Sequence, residues 1–105
     1  MINVVFYMKD GRMCGFRSSG HAGYADKGKD IVCAGVSALV INCANSIEKL
    51  TKDRADIEHA ADGSVFCMVK APVSTESELL LRSLRMGVTG IYEQYRKYIR
   101  IVDEE

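Results

Sequence analysis

The sequence predicts an α+β fold: one two-layer domain over residues 1–105, in the order ββαββαβ, with two helices packed on a mostly antiparallel or mixed sheet. Three observations predict it. Asp10-Gly11 and Asp62-Gly63 each separate two short segments rich in β-branched and aromatic residues, the mark of a hairpin. Two longer stretches repeat apolar residues at helical spacing. A chain of 105 residues, 48% hydrophobic and 27% charged, with no internal repeat and no linker, has the size of one core.

The first hairpin joins residues 2–8 to residues 13–18. A tight primed turn suits its Asp-Gly pair, because glycine accepts positive φ cheaply. The first helix follows a long loop. Val32, Val36, Leu39, Val40, Cys43, Ile47 and Leu50 form its stripe, and Asp30 is placed to cap its start. Ala34, Ala38 and Ile41 fall outside the stripe, so the first three turns are apolar nearly all round. Such a helix is expected to be covered on two sides, by the sheet and by a second helix or subunit. Residues 56–60 and 65–70 make the second hairpin, with the same primed turn expected. The second helix starts after Pro72, with Thr75 and Glu78 in a capping-box pattern and Leu80, Leu84, Val88, Ile91 and Tyr95 as its buried stripe. Gly87 and Gly90 interrupt it, and close packing or a kink would explain them. Residues 98–102 read as a last strand. Strand order is not legible at this level.

Lysine plus arginine and aspartate plus glutamate number 14 each, a formal net charge of zero, so direct nucleic-acid binding is not expected. Arg82, Arg85, Arg96, Lys97 and Arg100 are locally basic, but Glu93 and the acidic residues 103–105 offset them as on a solvated face. No apolar run approaches the ~18 residues of a membrane span, and the N-terminus lacks the basic start of a signal peptide. The expected compartment is therefore the cytoplasm, with Cys14, Cys33, Cys43 and Cys67 reduced. No two of them form a CxxC pair and there are only two histidines, so no metal site is expected. Cys14, Cys43 and Cys67 fit packing roles, and His59 a strand surface.

Residues 18–33 differ from the rest. They hold Gly20, Gly23 and Gly28 and no apolar periodicity until the helix begins, which describes a loop of functional kind. With so little to bury, residues 20–29 are expected to be ordered by a bound peptide. His21 stands at the loop's start and Cys33 in the first helical turn. A helix N-terminus presents unpaired N–H groups and a positive dipole end, and both stabilise a thiolate. By the ~100° step per residue, Cys33 lies about 75° from the centre of the buried stripe, at the border of the core. A histidine within reach would hold it as thiolate beside imidazolium, the activated form of a cysteine nucleophile. Helix-start N–H groups, that of Cys33 included, are the expected oxyanion donors. Packed cysteines and idle loop histidines are also ordinary, and pattern alone leaves that reading open. Asp30 either caps the helix or orients His21, with the cap favoured. Ser37, one turn on, is either a hydrogen-bonding neighbour of the site or a plain exposed serine.

Gly20-His21-Ala22, followed after the glycine-bearing loop by Asp30-Ile31-Val32-Cys33-Ala34-Gly35-Val36-Ser37-Ala38-Leu39, resembles the ribosomal-processing cysteine proteases called Prp. The likeness covers essentially the whole chain, including the tyrosine-rich end of the second helix. It implies a homodimeric cysteine endopeptidase of the bacterial cytoplasm that removes a short N-terminal extension from ribosomal large-subunit protein 27. It implies His21 and Cys33 as the catalytic dyad, with Gly20, Asp30 and Ser37 as accessory candidates, and no metal or cofactor. Aromatic residues just before the cleaved bond are implied as well, hence an apolar cleft beside Cys33. Two rivals stand against it. One is a ribosome-associated module that binds the peptide without cutting it, and the other a small redox protein using Cys33 as its thiol.

Overall fold

The computed structural model describes residues 1–105. β1 (Ile2–Lys9) and β2 (Arg12–Ser19) form the first hairpin, and α1 (Ile31–Leu50) follows a loop. β3 (Ala55–His59) and β4 (Val65–Val69) form the second hairpin, and α2 (Thr75–Gln94) leads into β5 (Ile99–Glu104). The predicted ββαββαβ order and two-layer packing are both present. The strands make one mixed sheet in the order β3-β4-β2-β1-β5, with β5 parallel to β1 and the other pairs antiparallel.

The first turn is of the expected primed kind. Asp10 has φ 53° and Gly11 φ 76°, the two positive values that a type I′ turn needs. The second turn corrects the expectation. There only Gly63 is left-handed, at φ 92°, and Ala60 and Ser64 pair across a longer loop. This is a turn that closes through one left-handed glycine, so Asp62 keeps an ordinary backbone and its Oδ1 accepts the Ser64 N–H at 2.9 Å.

β1 alternates, with Ile2, Val4 and Phe6 turned inward as a period of two requires. On β2 the alternation breaks at Met13 and Cys14, because a bulge opposite Tyr7 and Met8 adds one residue to that strand. Val32, Val36, Val40, Cys43 and Ile47 of α1 meet Leu81, Leu84 and Val88 of α2 over the inner sheet face in one core. Leu50, expected in the stripe, is 77% exposed as the last residue of α1. By length and composition α1 would pass for a membrane span, which corrects the expectation that no stretch comes near one. Its apolar stripe is instead the centre of this core.

α2 is capped one residue earlier than expected. Ser74 is the N-cap and its side chain accepts the Ser77 N–H, while Thr75 is the first helical residue. Glu78 is thereby free to accept the Met13 N–H of β2 at 3.1 Å. Leu84 and Val88 are buried as expected, but Ser77 and Leu81 complete the buried face, with Leu80, Ile91 and Tyr95 at its margin. Gly87 is the close-packing notch, since a Cβ there would meet the Leu39 side chain at 3.0 Å, whereas Gly90 faces open space. Arg85 then ties α2 to β5 through two hydrogen bonds to Asp103, at 2.9 and 2.6 Å.

Candidate active site

The site forms where β2 leaves the sheet. Gly20 follows the strand at φ 84°, and a Cβ there would run into the Met1 carbonyl, so only glycine allows this exit. His21 comes next and is exposed, Ala22 turns inward and is buried, and the loop continues to Asp30. α1 begins at Ile31, which sets Cys33, half-buried, in its first turn. His21 and Cys33 line one open cleft of about 840 Å³, together with Ser37 and with Asp62 and Gly63 from the β3–β4 turn.

Asp30 organises the loop and the helix together. Its Oδ1 accepts the N–H groups of Val32 and Cys33, each at 3.0 Å, and so caps α1. Its Oδ2 accepts those of Tyr24 and Ala25, at 3.0 and 3.4 Å, and so pins the loop. These donors, the Cys33 N–H first among them, hold the Asp30 carboxyl below its usual range. The Cys33 N–H is therefore already engaged, which removes it from the expected oxyanion donors. The N–H that reaches the sulfur comes from the loop: Ala22 donates to Cys33 Sγ at 3.2 Å. The helix N-terminus thus meets a carboxylate first, and the thiol meets a loop amide.

Residues 23–29 of the loop are all exposed, and its contacts with the rest of the fold are few and specific. Tyr24 packs edge-on against Tyr95 and Tyr98, with ring centroids 5.4 and 5.2 Å apart, and Ala22 joins the hydrophobic core. The expectation of a segment with little to bury holds for residues 20–29 except Ala22, and the tyrosine contacts are an anchor that expectation did not include. An aromatic residue amid glycines and lysines was the available signal, but its partners lie some seventy positions away along the chain. The structure brings His21, Cys33, Asp30 and Ser37 to one cleft and places Gly20 on a small cavity shared with His21 and Cys33. Ala22, Tyr24 and Asp62 are the participants that the sequence did not single out.

The other cysteines stand apart from this chemistry. Burial pushes the Cys43 thiol up to about 12 and that of Cys67 up to about 11, and Cys14 donates its S–H to the Tyr7 carbonyl from the bulge. His59 lies exposed at the end of β3. No group of three or more His, Cys, Asp or Glu side chains stands together as a metal-binding set.

Comparison with known proteins extends this picture. A family model described as cysteine protease Prp matches residues 1–100. A Staphylococcus aureus protein named ribosomal processing cysteine protease Prp is 33% identical over 103 residues, covering 96% of this chain and 97% of the relative. Its namesake from Bacillus subtilis is 29% identical over 92 residues, covering 82% and 81%. Among solved structures, the S. aureus protease with a covalently linked product peptide superposes with a TM-score of 0.91 at 31% identity, covering 98% of this chain and 99% of that one. The same protease with a substrate peptide gives a TM-score of 0.86 at 30% identity, with the same coverage.

Proposed function

The chain belongs to the Prp family of ribosomal-processing cysteine proteases, and from that premise we propose that Cys33 is its nucleophile and His21 its acid–base partner. The observation that carries this assignment is local. Cys33 and His21 are the one cysteine and one histidine on a cleft open enough for a peptide, and an N–H already points at Cys33 Sγ. In the proposed reaction the Cys33 thiolate attacks the scissile carbonyl carbon, and the π electrons of the C=O bond move to oxygen. As the tetrahedral carbon collapses, the C–N bond breaks and His21 gives its proton to the departing amine. Water, deprotonated by His21, then attacks the thioester and returns Cys33 to its starting state. In this reaction the Ala22 N–H, which donates to Cys33 Sγ at 3.2 Å, supports the attacking sulfur and serves as a donor to the developing oxyanion.

The proposed substrate is the N-terminal extension of ribosomal large-subunit protein 27, cleaved in the cytoplasm. The relatives' role in ribosomal processing and their peptide complexes support that reading. Purified protein should release the extension from an extended form of that ribosomal protein at one bond. Uncut protein after prolonged incubation with active enzyme would overturn this substrate.

The enzyme is further proposed to act as a homodimer. Residues 31–47 of α1 carry no charge, Ile31 and Ala34 are exposed on the cleft, and Ala38 is exposed one turn beyond Ala34. An uncharged helix face of this kind is suited to a second copy. Light scattering should give about twice 11.6 kDa at micromolar concentration, and a mass near 11.6 kDa across that range would refute the dimer.

A further inference from the structure

We infer that Asp62, on the turn between β3 and β4, is a positioning residue for His21: its carboxylate stands across the cleft from the imidazole and stabilises the imidazolium of the resting pair. The inference rests on the dyad assignment above. Three observations carry it.

The first is placement. Asp62 lines the main cleft and also a second cavity of about 60 Å³, and His21, Cys33 and Ser37 line both of these as well. The second is elimination. Asp30 is the other carboxylate on the cleft, and a carboxylate has about four acceptor positions. Its two oxygens already take the N–H groups of Val32, Cys33, Tyr24 and Ala25, so it has none left for an imidazole. The third is orientation. Asp62 Oδ1 accepts the Ser64 N–H at 2.9 Å, and no group from outside its own turn is hydrogen-bonded to the carboxylate. The Asp62 carboxyl is held below its usual range, chiefly by the Ser64 N–H and next by the Ser64 hydroxyl, with the charge of His21 the smallest contribution. The other titratable groups lining the cleft are Lys27 and Lys29 from the loop, Asp30 at the start of α1 and Cys33 in its first turn. Of the two carboxylates on the cleft, Asp62 is the one that backbone N–H groups do not fill.

The test follows alkylation of Cys33 by iodoacetamide against pH, with the modified site read by mass spectrometry. This readout needs no substrate. The wild-type protein should react in two steps, the first as the thiolate forms beside imidazolium and the second as the imidazolium loses its proton. Asp62→Asn keeps an Oδ1 for the Ser64 N–H and removes only the charge. It should move the second step to lower pH by about half a unit, the size expected for one partly solvated charge across a cleft. Asp62→Glu should restore most of that shift, and Asp56→Asn on the same hairpin should cause none. His21→Ala should collapse the profile to one step. If Asp62→Asn matches wild type while His21→Ala does not, the role of Asp62 is overturned and the dyad stands. Identical wild-type and His21→Ala profiles would overturn both.

Discussion

Cys33→Ser is expected to lower peptide cleavage by at least about 10³-fold with the fold unchanged. The replacement oxygen can still accept the Ala22 N–H, but a serine hydroxyl does not ionise near neutral pH as a thiol beside imidazolium does. Cys33 is only half-buried and sits outside the fully buried stripe, so the smaller oxygen opens no large cavity. His21→Ala should cost about 10²- to 10⁴-fold, through loss of the proton donor to the departing amine. His21 is exposed and its side chain makes no hydrogen bond within the protein, so thermal stability should hardly change. Because the two groups act as one unit, the double variant should be little worse than Cys33→Ser alone. The measurements are kcat/KM on the extended ribosomal substrate and a thermal melt for each variant. Turnover within tenfold of wild type in either single variant would remove that residue from the dyad.

Local chemistry explains what the sequence made legible. Asp30 followed by an apolar stripe marks the start of α1 because both signals lie within one or two helical turns of each other. Asp10-Gly11 marks its turn because the required φ values belong to those two residues alone. The dyad candidates were legible for the same reason: one begins the loop that leaves a strand, the other lies in the first turn of a helix, and both positions are set by neighbours in sequence.

Other features depended on residues that meet only after folding. Strand order turns on which edge α1 and α2 return to, so the pairing of β4 with β2 and of β5 with β1 left no local trace. The same pairing carries the Asp62 turn to the cleft, although the turn itself was legible as a turn. Ser74 competes with Thr75 for the cap of α2, and it wins with Asp53 behind it, since Asp53 accepts both the N–H and the O–H of Ser74. Tyr24 has no partner in the sequence near it, and it meets Tyr95 and Tyr98 only once the chain has folded.

Asp30→Asn is expected to separate the helix from the loop that Asp30 holds together. Asparagine has one oxygen where aspartate has two, and an NH₂ in place of the other. Asparagine is as good an N-cap as aspartate, so its oxygen should stay on the Val32 and Cys33 N–H groups and preserve α1. The NH₂ then confronts the Tyr24 and Ala25 N–H groups, donor against donor, and the loop loses that anchor. The contacts of Tyr24 with Tyr95 and Tyr98 and the burial of Ala22 then hold the segment. The Ala22 N–H should drift from Cys33 Sγ, and kcat/KM should fall about 10- to 100-fold, the scale of a misplaced catalytic contact. Amide exchange at Ala22, Tyr24 and Ala25 should quicken while the interior of α1 stays protected. Tyr24→Ala removes the other anchor, so the two substitutions together should give a non-additive loss. Protonating the wild-type carboxylate has a related effect, and its sign is fixed. The folded-state Asp30 lies below the ordinary carboxylate range, so its contribution to stability is full above about pH 4 and is lost as pH falls through the folded value. Asp30→Asn should therefore be less stable than wild type near neutrality and should lose less stability on acidification. A bound peptide that closes on the loop should restore its protection in both proteins. Loop amides as protected in Asp30→Asn as in wild type, without peptide, would show that the tyrosine cluster alone holds the segment.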